Sequence, residues 1–176
     1  TNRHGAVRRL FLPTASDGEF TEEACAATAR LRAAAAGDVA ALAATAAAGE
    51  AEAGRITALM VASRAKQLAA VEALLETASG AASLDARSAK GCTALYLAAE
   101  EGDARIVAAL LARGASVALV DAGGSSALLR ACEMGHAPCA RLLVDGGADV
   151  EAADSNGFTA LMHACLHGHI ECARLL

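Results

Sequence analysis

The sequence predicts an all-α repeat solenoid, a row of stacked helix-turn-helix units joined by short β-hairpin or loop fingers, and three observations predict it. First, Asp154–Leu176 repeats Asp121–Leu143 at a displacement of 33, with Asp154, Gly157, Ala160, Leu161, Ala164, Cys165, Gly168, His169 and Cys172–Leu176 all recurring. Second, a further step of 33 back from Ser126 lands on Thr93, where Ala98-Ala99, Gly102 and Leu110 fall in phase. Periods of this size mark stacked supersecondary units that share one continuous core. Third, aromatic residues make up 2% of the 176-residue chain, Trp is absent and hydrophobic residues reach 55%. An interior of that kind is built from thin helices meeting through methyl groups.

In chain order, residues 1–20 read as an N-terminal extension and residues 21–176 as the array, with units at roughly 21–51, 52–87, 88–120, 121–153 and 154–176. Pro13 and Gly18 argue against a continuous helix in the extension. Three readings of it stand: a tail folded over the first unit, a docking peptide (Arg8, Arg9, Leu10, Phe11, Leu12), or the cut end of a transit peptide. Thr21-Glu22-Glu23 reads as a helix cap with carboxylates in the first turn, and Gly37 as the left-handed stop of that helix. This first unit is degenerate, as terminal repeats tend to be.

Thr57 opens the second unit, in which Lys66 stands where the later units have Gly, so its hairpin turn is less relaxed. The link to Thr93 is three residues longer than its later counterparts, and the extra length predicts a more protruding loop. From Thr93 onward the register is regular: Thr93, Ser126 and Thr159 each place a hydroxyl to cap an inner helix. Leu59, Leu95, Leu128 and Leu161 follow as inward-pointing residues, then a small pair (Ala98-Ala99, Ala131-Cys132, Ala164-Cys165) keeps the helix narrow. Gly102, Gly135 and Gly168 end the inner helices, and Ile106-Val107, Leu110-Leu111, Leu142-Leu143 and Leu175-Leu176 form the apolar side of the outer ones. The last unit stops at Leu176, which predicts an exposed apolar edge and reads as a processed chain or a fragment of something longer.

The core T-A-L-x-x-A-[AC]-x-x-G-[DH], followed by an apolar helix and G-A-[DS]-V, resembles the ankyrin repeat. Two departures stand out. The family's Pro at the first helical position is Ala58, Ala94, Ala127 and Ala160, and its His two residues further on is replaced by Tyr96, Leu129 and Met162. Apolar packing is expected to substitute for the bonds that His makes between repeats. His136 and His169 match the family's residue after the turn Gly, where an imidazole can cap or bridge hairpins.

The resemblance implies a non-catalytic protein–protein interaction module that uses a concave face and hairpin tips. The positions that vary between units line that surface: Lys90, Cys92, Glu100, Glu101, Leu119, Val120, Ser125, Glu133, Met134, Ser155, Asn156, Phe158, Leu166 and His167. Leu119, Val120, Met134, Phe158 and Leu166 are apolar where solvated residues are expected, which marks an interface. Glu100, Glu101 and Glu133 flank them, so the expected partner is an apolar protein segment carrying basic residues. The alternative is a structural subunit of a larger multiprotein assembly, held through the tail and the repeat ends.

A formal net charge of −5 excludes nucleic-acid binding by phosphate neutralisation. No apolar run reaches the roughly 18 residues that span a bilayer. Six Cys without a signal peptide read as reduced thiols in an intracellular compartment, the cytoplasm or an organelle interior after removal of a transit peptide. His163, Cys165, His167, His169 and Cys172 crowd one segment, and Cys132, His136 and Cys139 echo it, so zinc has to be weighed. The repeat accounts for them more simply: Cys132 and Cys165 share one small core position and Cys139 and Cys172 another, leaving Cys92 as the exposed thiol. No metal ligand, cofactor or small-molecule substrate is assigned. Catalysis is not expected either, for the sequence has no G-x-S-x-G, phosphate loop or paired catalytic carboxylates, and Gly123-Gly124-Ser125-Ser126 is a turn and cap.

Overall fold

Each inner helix begins where a hydroxyl can satisfy an orphan backbone N–H. The computed structural model describes residues 29, 32–39, 56–77 and 83–176. Thr57, Thr93, Ser126 and Thr159 sit in extended conformation and accept from the N–H three residues on, at Met60, Tyr96, Leu129 and Met162 (3.1–3.4 Å). The helices they open are α1 (Ala58–Arg64), α3 (Ala94–Glu101), α5 (Ala127–Glu133) and α7 (Ala160–Leu166). The outer helices are α2 (Leu68–Leu75), α4 (Ala104–Ala112), α6 (Ala137–Asp145) and α8 (Ile170–Leu175). Residues 32–36 are also helical and end at Gly37, φ 72°. The extension, with Arg8 to Leu12, and the helix cap expected at Thr21 lie outside the described residues.

The helices stack in sequence order. The closest packing is either between the two helices of one hairpin or between equivalent helices of successive hairpins: α1 on α3, α3 on α5, α5 on α7 inside, and α2, α4, α6, α8 outside. Ala62, Ala98, Ala99, Ala131 and Ala164 are fully buried at these contacts, and Leu59, Leu95, Leu128, Ile106, Val107, Leu110 and Leu143 fill the space around them. Burying a Leu or Ile stabilises by roughly 1.5–3 kcal/mol. No single hairpin can hide its apolar side alone, so cohesion resides in the contacts between neighbours.

Turn chemistry follows the sequence closely. Gly102, Gly135 and Gly168 have φ of 76°, 78° and 72°, and Lys66, φ 57°, is the one non-glycine in the left-handed region among the described residues. Replacing Lys66 by Gly should therefore raise stability by about 0.5–1 kcal/mol, the left-handed penalty less the extra freedom of an unfolded glycine. The lost ion pair with Glu101, 3.6 Å long and largely solvated, subtracts little. Urea denaturation measures the gain, and no shift of the midpoint would show that the turn is not strained.

Several expectations are corrected. Leu161 does not point into a core: it is 45% exposed, whereas Leu128, the same residue one unit earlier, is 0% exposed. Cys165 is likewise exposed while Cys132 is buried, and Cys92, taken for the exposed thiol, is only half-exposed. The cause is common, since α5 is covered by α7 and α7 has no following hairpin among the described residues. Residues 78–82 of the longer link lie outside the described residues. Asp85 accepts from Ser116 N–H (2.9 Å) and the Arg87 guanidinium donates to the Val120 carbonyl (2.5 Å), so residues 83–92 are tied to the next finger. The fingers carry isolated antiparallel bridges, Val120 with Ser126 and Ala153 with Thr159, in place of longer strands.

Candidate functional site

The fingers are shaped by aspartates. Asp121 Oδ1 accepts from Gly123 and Ser125 N–H (2.8 and 2.9 Å), and Asp154 Oδ1 accepts from Asn156 and Phe158 N–H (2.8 and 3.0 Å). Adjacent tips are joined by single main-chain bonds, Ala122 N–H to Lys90 O (2.8 Å) and Ser155 N–H to Gly123 O (2.9 Å). Asp154 is held below the usual carboxylate range, first by the Phe158 N–H and then by His163 and Asn156.

The second oxygen of each aspartate has a different task. Asp121 Oδ2 accepts from the Tyr96 hydroxyl of the preceding unit (3.1 Å). Apolar packing alone therefore does not replace the family's His at this interface: Tyr96 supplies a polar bond across it, and burial, with Asp121 adding, pushes its phenol up. Asp154 Oδ2 instead meets His163 Nε2 within its own unit (3.1 Å). Leu129 is buried at the corresponding place, as expected, while Met162 is exposed.

Imidazoles bridge the hairpins. His136 Nε2 lies 3.1 Å from Glu100 O, and His169 Nε2 lies 3.0 Å from Glu133 O. Each imidazole packs over a turn glycine: a Cβ on Gly102 would come 2.5 Å from His136 Nδ1, and one on Gly135 would come 2.5 Å from His169 Nδ1. In the unit of residues 88–120, the residue corresponding to His136 and His169 is Asp103, which caps its own helix by accepting from Arg105 and Ile106 N–H. Burial works against the Asp103 charge, but the bonds from Arg105 outweigh it and hold the carboxyl low.

The residues expected to bind a partner fall into rows one unit apart: Cys92, Ser125 and Phe158; Glu100, Glu133 and Leu166; Glu101, Met134 and His167. Lys90, Val120, Met134, Ser155, Asn156, Phe158, Leu166 and His167 are exposed, whereas Cys92, Glu100, Glu101, Leu119, Ser125 and Glu133 are half-buried. Met134, Phe158 and Leu166 expose 44%, 39% and 66% of their surface. The glutamates are not free charges. The Arg130 guanidinium bonds to Glu100 of the preceding unit and to Glu133 (2.7 Å), and Glu101 faces Lys66. Burial disfavours the Arg130 charge, yet the two carboxylates raise its pKa above the ordinary value. Three carboxylates against two cations leave one net negative charge along this belt.

Sequence reading missed Arg130 as the link of this belt and Asp154 as the partner of His163. The recurrence of Asp121 and Asp154 and the i, i+4 spacing of His163 and His167 were the available signals. The cysteines behave as expected of buried thiols: Cys132, Cys139 and Cys172 are fully buried, and burial pushes Cys132 up to about 12 and Cys139 to about 11. No helix among the described residues is long and apolar enough to cross a membrane.

Compared with known families, the chain matches the model for ankyrin repeats (3 copies) over residues 3–121 and 117–176. A search of curated proteins gives no match.

Proposed function

Because the chain belongs to the ankyrin repeat family, whose members are in general protein–protein interaction modules, we propose that it is a non-catalytic binding module for a protein segment. The partner lies across the rows of inner-helix ends and finger tips. The observation that carries this reading is the exposure of Met134, Phe158 and Leu166 beside the Glu100–Arg130–Glu133 network. An apolar partner segment fits those side chains, and one basic residue matches the net charge of the belt. Recognition of this kind concentrates in a few large side chains, with surrounding contacts near neutral.

Captured partners can be compared between the native chain and the double variant Phe158→Ala, Met134→Ala. The variant should bind at least about fivefold more weakly, a loss above roughly 1 kcal/mol, with an unchanged circular dichroism spectrum. Equal affinity at equal helicity would remove the surface from consideration. The second reading, a subunit built into a larger assembly, is favoured by the exposed face of α7 and α8, with Leu161, Met162 and Ile170. Under that reading the same double variant binds normally and substitutions at Leu161 and Met162 abolish association.

A further inference from the structure

His163 and His167 are separated by one helical turn, on α7 and its C-cap, so their imidazoles fall on one face. Their rings are parallel, with centroids 6.5 Å apart and 2° between planes. Glu133, the last residue of α5 in the preceding hairpin, comes up beside them. One ligand atom of each of the three lies within 4.8 Å of those of the other two.

His163 is the informative member. Its Nε2 faces Asp154 Oδ2 at 3.1 Å, while its Nδ1 is buried with no hydrogen-bond partner. An ionised carboxylate can only accept, so the bond network assigns the proton to Nε2 and leaves the lone pair on Nδ1. A histidine whose far nitrogen donates to a carboxylate is the usual arrangement of a metal ligand, because the carboxylate fixes the tautomer and the ring orientation.

We propose that Glu133, His163 and His167 bind a first-row divalent cation of the zinc type. Two imidazoles and one carboxylate suit such ions and leave a coordination position open, whereas magnesium and calcium prefer oxygen donors alone. Glu133 gives one oxygen to Arg130 and keeps the other for the ion. Arg130 opposes a cation, but Glu100, Glu133 and Asp154 outnumber it. Phe158 walls the site, its ring 5.5 Å from that of His163. His169 stacks on His167 at 6.1 Å, with its own Nε2 engaged at Glu133 O, and stays structural. Donors from two hairpins make the ion a staple across the interface between α5 and α7.

The test is calorimetric titration of Zn²⁺ into the chelator-stripped, reduced chain, paired with Co²⁺ absorption spectra. One ion should bind per chain, and Zn²⁺ should raise the melting temperature. His167→Ala, at an exposed position, and Glu133→Gln should each weaken binding by about tenfold or more. Asp154→Asn keeps an acceptor for the finger but turns an amide N–H toward Nε2. The His163 proton then moves to Nδ1, and affinity should fall by roughly 10- to 100-fold. Cys165→Ser should bind as the native chain does. Undiminished binding by folded His167→Ala, a Co²⁺ spectrum with thiolate charge-transfer bands, or loss of binding in Cys165→Ser would each overturn the proposal.

Discussion

Replacing Leu128 by Ala is expected to destabilise the array by about 3–4 kcal/mol. Leu128 is fully buried on α5, and α5 is packed between α3 and α7. The helices on both sides are already thin, with Ala98 and Ala164 at their contacts, so little can move in to fill the cavity. The identical substitution at Leu161 should cost much less, since nearly half of that side chain is already in solvent. Urea denaturation of the two variants measures both. Equal losses would mean that α7 does not cover α5 as described.

Replacing Gly135 by Ala is expected to cost about 3 kcal/mol. The left-handed backbone, φ 78°, accounts for about 1–2 kcal/mol of this. The remainder comes from the imidazole of His169: the new methyl would lie 2.5 Å from its Nδ1, so the ring must move and its bond to Glu133 O is strained or lost. Gly168→Ala is the internal control. It has φ 72° and no atom within 4 Å of the added Cβ, so it reports the backbone contribution alone. Were the two variants equally destabilised, His169 would not be cementing the interface.

These variants also mark what could be read from the sequence. The starts of the inner helices were legible because Thr57, Thr93, Ser126 and Thr159 act locally, on N–H groups three residues away. The glycine turns were legible for the same reason. Burial was legible at Leu59, Leu95 and Leu128 but not in the last unit, because a repeat's exposure depends on its neighbour as well as on its own residues. Leu128 and Leu161, or Cys132 and Cys165, are the same letter in the same register with opposite surroundings. The polar links were hidden as well: Tyr96 finds Asp121 25 positions away, and Arg130 finds Glu100 30 positions away. Such pairs exist only once the stack has set its spacing. The positions proposed for binding were chosen as variable ones, but their net charge was not legible, since Arg130 and Lys66 had no visible link to the glutamates they meet.

The bonds that join one finger tip to the next, from Ala122 to Lys90 and from Ser155 to Gly123, run between backbone atoms alone. Any side chain that tolerates the local torsion angles leaves them in place. At the tips these links thus spare the side chains, and the tip positions behave as interchangeable letters on a fixed ruler: Lys90, Gly123 and Asn156 already spell three different ones. Libraries randomised at those positions should diversify specificity while leaving the melting behaviour of the ruler unchanged.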